Sequence, residues 1–203
     1  MLTSRIFLVF CLTLVFCLSA PGVQAAQDAG AAKSITLPAP DKEGGMPLMQ
    51  ALSERKGNRS ISDKPVSEKI MGDLLWATWG VNRPDGRRTA PTAMNKQQVE
   101  VIVVLESGIW RYDGVNHQLL PVASGDLRAK VGGAPITLLY AAPDEKWSGI
   151  HVGSLHQNAG LYCASQKLAC IVRAAGTTAF TPDELKLPQG YIVHITQSVG
   201  WPK

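Results

Sequence analysis

Hydrophobic positions divide the chain into an apolar leader, stretches with helical spacing and short continuous runs. Ile6 to Leu18 is almost wholly apolar. Met46 to Lys56 predicts a first helix, with Met46, Met49 and Leu52 on one side and Gly57-Asn58 as its end. A stronger helix follows Ser67, a candidate N-cap. Ile70, Leu74, Leu75 and Thr78 keep helical spacing up to Gly80, and Trp76 and Trp79 widen the apolar face. Val99 to Leu105 and Ile136 to Ala142 predict buried strands. Gly108 to Tyr112 and Gln118 to Val122 flank Asp113-Gly114 as the arms of a hairpin. Ser124 is placed to cap a short helix through Lys130. Trp147 to Arg173 reads as one helix with Leu155, Ala159, Tyr162 and Leu168 among its apolar positions, and Tyr191 to Gln197 as a last strand. The class is α+β, with helices around a small sheet.

The leader changes the picture of where the protein works. Arg5 precedes the apolar run, Pro21-Gly22 breaks it, and Val23-Gln24-Ala25 places small residues where a signal peptidase cuts. Residues 1–25 therefore read as a secretory signal with cleavage expected after Ala25. The apolar core is shorter than the roughly 20 residues of a comfortable membrane span; a retained anchor is the alternative. Bulky Phe16 before Cys17 argues against lipid attachment. The expectation is a periplasmic or secreted protein with no stable membrane insertion after cleavage.

Removing 25 of 203 residues leaves 178, the size of one domain with a real core. Residues 26–44, rich in Ala, Gly, Lys and Asp, read as a flexible N-terminal arm, and 45–203 as the folded domain. Loss of Arg5 lowers the formal charge from +4 to +3. That is too little to argue for nucleic acid, and no basic run is interleaved with aromatics. Cys163 and Cys170 remain. On one unbroken helix they would lie about 10 Å apart along the axis, beyond disulfide reach, so both are expected to be buried small hydrophobes.

Two stretches carry candidate chemistry. Arg55-Lys56-Gly57-Asn58-Arg59 places three cations in five residues at the end of the first predicted helix. Pro91-Thr92-Ala93-Met94-Asn95-Lys96-Gln97 is a loop of small and amide-bearing residues. Arginine suits bidentate phosphate recognition and lysine adds a point charge, while an Asn both donates and accepts. His151 and His156 are five apart, off the spacing of helical metal pairs, and no nucleophile elbow surrounds Ser165, Cys163 or His194. Trp110 and Tyr112 read as hairpin packing. No metal ligand set and no catalytic side chain is assigned.

Six segments in order resemble the nitroreductase family of flavoproteins, in particular its short SagB-like, thiazoline-oxidase-type branch. They are Arg55 to Arg59, Leu74-Leu75-Trp76-Ala77, Pro91 to Gln97, the hairpin through Gly108–Asp113 and His117–Leu119, Gly153–Leu161 with Gln157-Asn158, and Val199-Gly200-Trp201-Pro202. The resemblance covers Met46 to Pro202. It implies a nitroreductase-like α+β fold, a mainly antiparallel sheet surrounded by helices, in a homodimer with FMN at the subunit interface. Arg55, Lys56, Gly57 and Arg59 would hold the flavin phosphate and ribityl or pyrimidine oxygens. Pro91, Thr92 and Ala93 would approach from the second subunit, and Asn95 would reach the ring's polar edge. Ala175 and Gly176 match a segment whose amide faces the flavin, and Lys203 a further basic contact. Gly57 stands where Ser is common, and Lys56 where Arg is.

In that family the cofactor does the reaction while the protein binds and orients it. The expected function is an exported FMN-dependent oxidoreductase working by ping-pong hydride transfer between a small-molecule donor and a small-molecule acceptor. NAD(P)H, if used, would bind transiently over the flavin, since no dinucleotide fingerprint follows a strand. The alternative is an exported non-catalytic flavin-binding or interaction module on the same fold.

Overall fold

The computed structural model describes residues 33–203, so the signal and residues 26–32 of the arm lie outside the described residues. Seven antiparallel strands form one sheet in the order β1-β4-β3-β2-β5-β7-β6. They are β1 (Ile35–Thr36), β2 (Glu100–Leu105), β3 (Gly108–Asp113), β4 (Gln118–Ser124), β5 (Ile136–Pro143), β6 (Ala169–Arg173) and β7 (Tyr191–Gly200). The helices among the described residues are α1 (Leu48–Glu54), α2 (Glu68–Trp79) and α3 (Ser148–Ser165). The α+β class and the antiparallel sheet hold.

The continuous apolar runs have a simple cause. Both faces of the central strands are covered, so period-2 alternation sends every residue into one of two cores. Val101, Val103, Leu138 and Tyr140 face α2 and α3, where they pack with Leu74, Leu75, Leu155 and Ala159. Ile102, Val104 and Leu139 face the opposite side, beneath Phe180 and Leu185 of the segment between β6 and β7. Ser67 caps α2 by accepting from the Ile70 N–H at 3.3 Å. Ser67→Ala is expected to cost about 1 kcal/mol, read as a lower denaturant midpoint at unchanged slope.

Four expectations fail. The first is the arm: Ile35–Thr36 pairs with Gln118–Leu119 and Leu37 is buried. Asp73 on α2 accepts from the Asp41 N–H at 2.8 Å while pairing with Lys69 at 2.6 Å, so the part of the arm from Ile35 onward is folded structure. The second is the face of α1. Ala51 is its buried residue, whereas Leu48, Met49 and Leu52 are exposed; the apolar stripe points away from the core.

The third is the helix after Ser124, which ends β4 without capping anything. A single 3₁₀ turn forms later, at Arg128–Val131, with no side-chain cap. The fourth is the helix to Arg173. It stops at Ser165, and the chain returns as β6. The Leu168 N–H reaches the Cys163 carbonyl at 2.8 Å and the Lys167 N–H the Ala164 carbonyl at 3.1 Å. With Lys167 at φ 57°, this is a Schellman stop. Lys occupies the left-handed position where Gly is usual, which hid the stop. Cys163 and Cys170 therefore lie on facing elements instead of one helix face.

Candidate functional site

Helix α1 ends where Arg55 donates its backbone N–H to the Ala51 carbonyl. The chain then runs extended beside β6, held by the Asn58 N–H on the Cys170 carbonyl at 2.8 Å. This brings Arg55, Lys56 and Gly57 against α3 and β6. Together with His156, Gln157 and Gln197, among others, they line a recess of about 150 Å³. Glycine keeps it open: a Cβ on Gly57 would come within 3.1 Å of Ile171 Cδ1. Arg59 follows, and the Lys203 N–H bonds the Ser60 carbonyl at 3.1 Å, so Lys203 joins the same edge.

Among the described residues Arg55, Lys56, Arg59 and Lys203 form no ion pair, and all four are exposed. Cations without an ion-pair partner, two of them lining a recess with Gly57, fit a phosphate-bearing group. The donor chemistry therefore suits the phosphate end of the FMN that the resemblance implies.

Beneath the recess lies a buried network that sequence reasoning missed. Tyr140 donates its O–H to Gln197 Oε1. Gln197 Nε2 donates to the His156 carbonyl at 3.2 Å and to Cys170 Sγ at 2.9 Å. Burial pushes the Tyr140 hydroxyl far above the ordinary phenol range, so it stays a donor. Ala175 and Gly176 lie just past this wall. Thr196, the neighbour of Gln197, donates to the Arg173 and Ala175 carbonyls at 3.1 and 2.9 Å. Gly176 sits at φ 94°, a conformation glycine adopts without strain.

The Pro91–Gln97 loop is at the other end of α3. Met94, Asn95 and Gln97 all have φ between 51° and 54°, a left-handed cluster that only Asn among them tolerates well. Such strain needs outside support. Gln97 supplies it by donating its N–H to Thr92 Oγ1 at 3.1 Å and its amide to Asn95 Oδ1 at 3.1 Å, while accepting from Arg88 at 2.8 Å. His151 on α3 accepts the Ala93 N–H at 2.8 Å, a role found from geometry alone. The recess at Arg55 contains no residue of this loop. Pro91, Thr92, Ala93 and Asn95 are thus not brought to Arg55 within one chain.

His117, His151 and His156 all have ionisation pushed below the ordinary histidine range, in each case mainly by burial. Their folded pKa values lie below the unfolded value of about 6.5, so unfolding takes up protons. Stability is complete above that value and is lost as pH falls from it toward the folded values. The denaturant midpoint should decrease between about pH 7 and about pH 5.5. His151→Gln should flatten part of that slope. A flat wild-type profile would remove these histidines from the account.

Three comparisons bear on this geometry. The family model described as Nitroreductase family matches residues 52–201. A nitroreductase-like protein from Ralstonia eutropha is 34% identical, with 85% of this chain and 90% of that chain covered and a TM-score of 0.78. A Desulfovibrio desulfuricans nitroreductase-type structure in complex with FMN shares 18% identity, over 78% of this chain and 88% of that one, at TM-score 0.57. The Escherichia coli microcin synthetase complex McbBCD shares 19% identity, over 74% and 70%, at 0.63. No curated protein matches the sequence.

Proposed function

The chain belongs to the nitroreductase family, and from that premise we propose that it is an FMN-dependent oxidoreductase. In this reading it transfers hydride in ping-pong order between a small-molecule donor and a small-molecule acceptor. The observation that carries the reading is the pair Arg55 and Lys56, free of carboxylate partners among the described residues, lining one recess with Gly57, with Arg59 two residues further along the same extended segment. Fold relatives that hold FMN support it.

Arg55 and Arg59 offer forks for two phosphate oxygens, Lys56 and Lys203 add point charge, and Gly57 lets the backbone approach. When bound, FMN supplies two-electron hydride chemistry, taking from one substrate and giving to the next. The amides at Ala175-Gly176 would tune the ring by donation, so no side-chain acid is required. Tyr140 and Gln197 hold the recess wall by keeping α3 and β6 in register.

The reading includes a homodimer in which the Pro91–Gln97 loop of one copy, Asn95 included, completes the site of the other. Two observations favour it. The loop is absent from the recess at Arg55. Leu48, Met49 and Leu52 on α1, and Met94, Trp147 and Ile150 near the loop, leave large apolar side chains uncovered. The short SagB-like branch is the placement within the family. Export after cleavage at Ala25 is part of the proposal as well, and it separates the protein from cytoplasmic NAD(P)H. Either another reductant serves outside, or oxidation of an exported substrate is the task.

Lys56 and Gly57, standing where Arg and Ser are common, favour a second reading: an exported flavin-binding module without turnover. Absorbance of the purified protein distinguishes them. Yellow protein that bleaches anaerobically with NAD(P)H or another hydride donor and recovers with a quinone supports the enzyme. Yellow protein that no donor bleaches supports the module. Colourless protein that takes up no added FMN contradicts both.

A further inference from the structure

We propose that His151, as a neutral imidazole, is the positioning residue that latches the Pro91–Gln97 loop to α3, and that protonation of this ring releases the loop. Geometry carries this. A backbone N–H can only donate, so the 2.8 Å bond from the Ala93 N–H to His151 Nε2 requires a bare Nε2, with the ring's proton on Nδ1. An imidazolium has a proton on both nitrogens and would turn a donor toward a donor. The ring is 6% exposed, so little water is at hand to replace the lost acceptor. Among the described residues, this is the hydrogen bond that ties residues 91–97 to α3. The loop's other bonds stay within residues 86–97 or reach Glu145. They order the segment internally but fix nothing to the helix. Met94, Asn95 and Gln97 meanwhile stand in the left-handed region, strain that favours relaxation once the latch opens.

The surroundings set how the ring responds to acid. Lys96 from the loop and Glu145 from the turn before α3 are the charged groups whose fields reach it. They pair with each other at 3.4 Å, and their effects on the ring oppose. Helix α3 adds no titrating cation or carboxylate besides His151 and His156. Burial therefore leads, holding the ionisation below the ordinary histidine range. The latched value lies below the unlatched one of about 6.5. The latch is thus complete above that pH and weakens as pH falls toward the latched value. Only the functional consequence rests on the proposed function: there the loop of one copy completes the flavin site of the other, so acid would open that site.

The test follows the Ala93 amide of the full-length chain by hydrogen exchange, read by NMR and referred to the intrinsic rate at each pH. In the wild type its protection should fall by about 3- to 10-fold between about pH 6.5 and about pH 5.5, while the amides of β2 and β5 keep theirs. His151→Gln, whose amide oxygen accepts without titrating, should hold protection level across that range. His151→Ala should lack it at both ends. Wild-type protection that ignores pH, or an equal fall in the Gln variant, overturns the proposal. Should the Ala variant fail to fold, the wild-type and Gln profiles decide. FMN titration separates the latch from the function it touches. A phosphate monoester itself gains a proton near about pH 6, so the quantity read is the extra weakening of FMN in the wild type over His151→Gln. Extra weakening supports both. A shared FMN profile beside pH-dependent Ala93 protection supports the latch and contradicts the loop's place in the flavin site.

Discussion

Replacing Arg55 and Arg59 together by Ala is expected to yield a folded protein that is isolated without colour. In the proposed reading these two forks hold the phosphate, and neither has a competing partner among the described residues. Both are exposed, so their removal leaves no buried charge orphaned and costs the fold little. Loss of two charge-assisted hydrogen bonds should weaken FMN by roughly 100-fold or more. Fluorescence titration with FMN, alongside a thermal melt, separates lost affinity from lost structure. Retained affinity would mean that the phosphate sits elsewhere.

Gln197→Leu should have the largest effect on stability. The side chain is fully buried and connects Tyr140, the His156 carbonyl and Cys170. Leu fills similar volume but leaves the buried Tyr140 hydroxyl without its acceptor, while the His156 carbonyl keeps its place in the α3 ladder. A stranded buried hydroxyl costs about 1–3 kcal/mol, so a loss of about 2 kcal/mol is expected. Adding Tyr140→Phe should recover part of that loss, because it removes one stranded donor. Urea unfolding of the wild type and of both variants reads the effect. A loss below about 0.5 kcal/mol would place the network outside what holds the recess wall.

Much of this fold was legible because its signals are local. Ser67 caps α2 as its type and place imply, and the runs at Val99–Leu105 and Ile136–Ala142 form buried strands because both sheet faces are covered. The hairpin at Asp113-Gly114 pairs as expected. What stayed hidden depends on tertiary context. Lys167 ends α3 in a left-handed conformation that its residue type does not advertise. Met49 and Leu52 look like core residues by spacing but lie on the surface.

The site divides in the same way. The cations at Arg55, Lys56 and Arg59 were visible as a cluster, and the structure brings Arg55 and Lys56 to one recess with Gly57 and α3. Gln197 and His151 were invisible as site residues, since both act through long-range hydrogen bonds, Gln197 to Tyr140, the His156 carbonyl and Cys170, and His151 to Ala93. Gln197 sits in a strand flanked by apolar and small residues, where a single buried amide gives no periodic signal. Its one readable hint was polarity inside an otherwise buried strand, the pattern that demands a partner.

The central claim is that the Arg55–Arg59 rim holds the phosphate of a flavin. Parallel titration of the wild-type protein with FMN and with riboflavin, which lacks the phosphate, tests it most directly. The account predicts that FMN binds at least roughly 100-fold more tightly, and that the gap closes in the Arg55→Ala/Arg59→Ala variant. Equal affinity for the two flavins, or a gap that survives the double substitution, would contradict it.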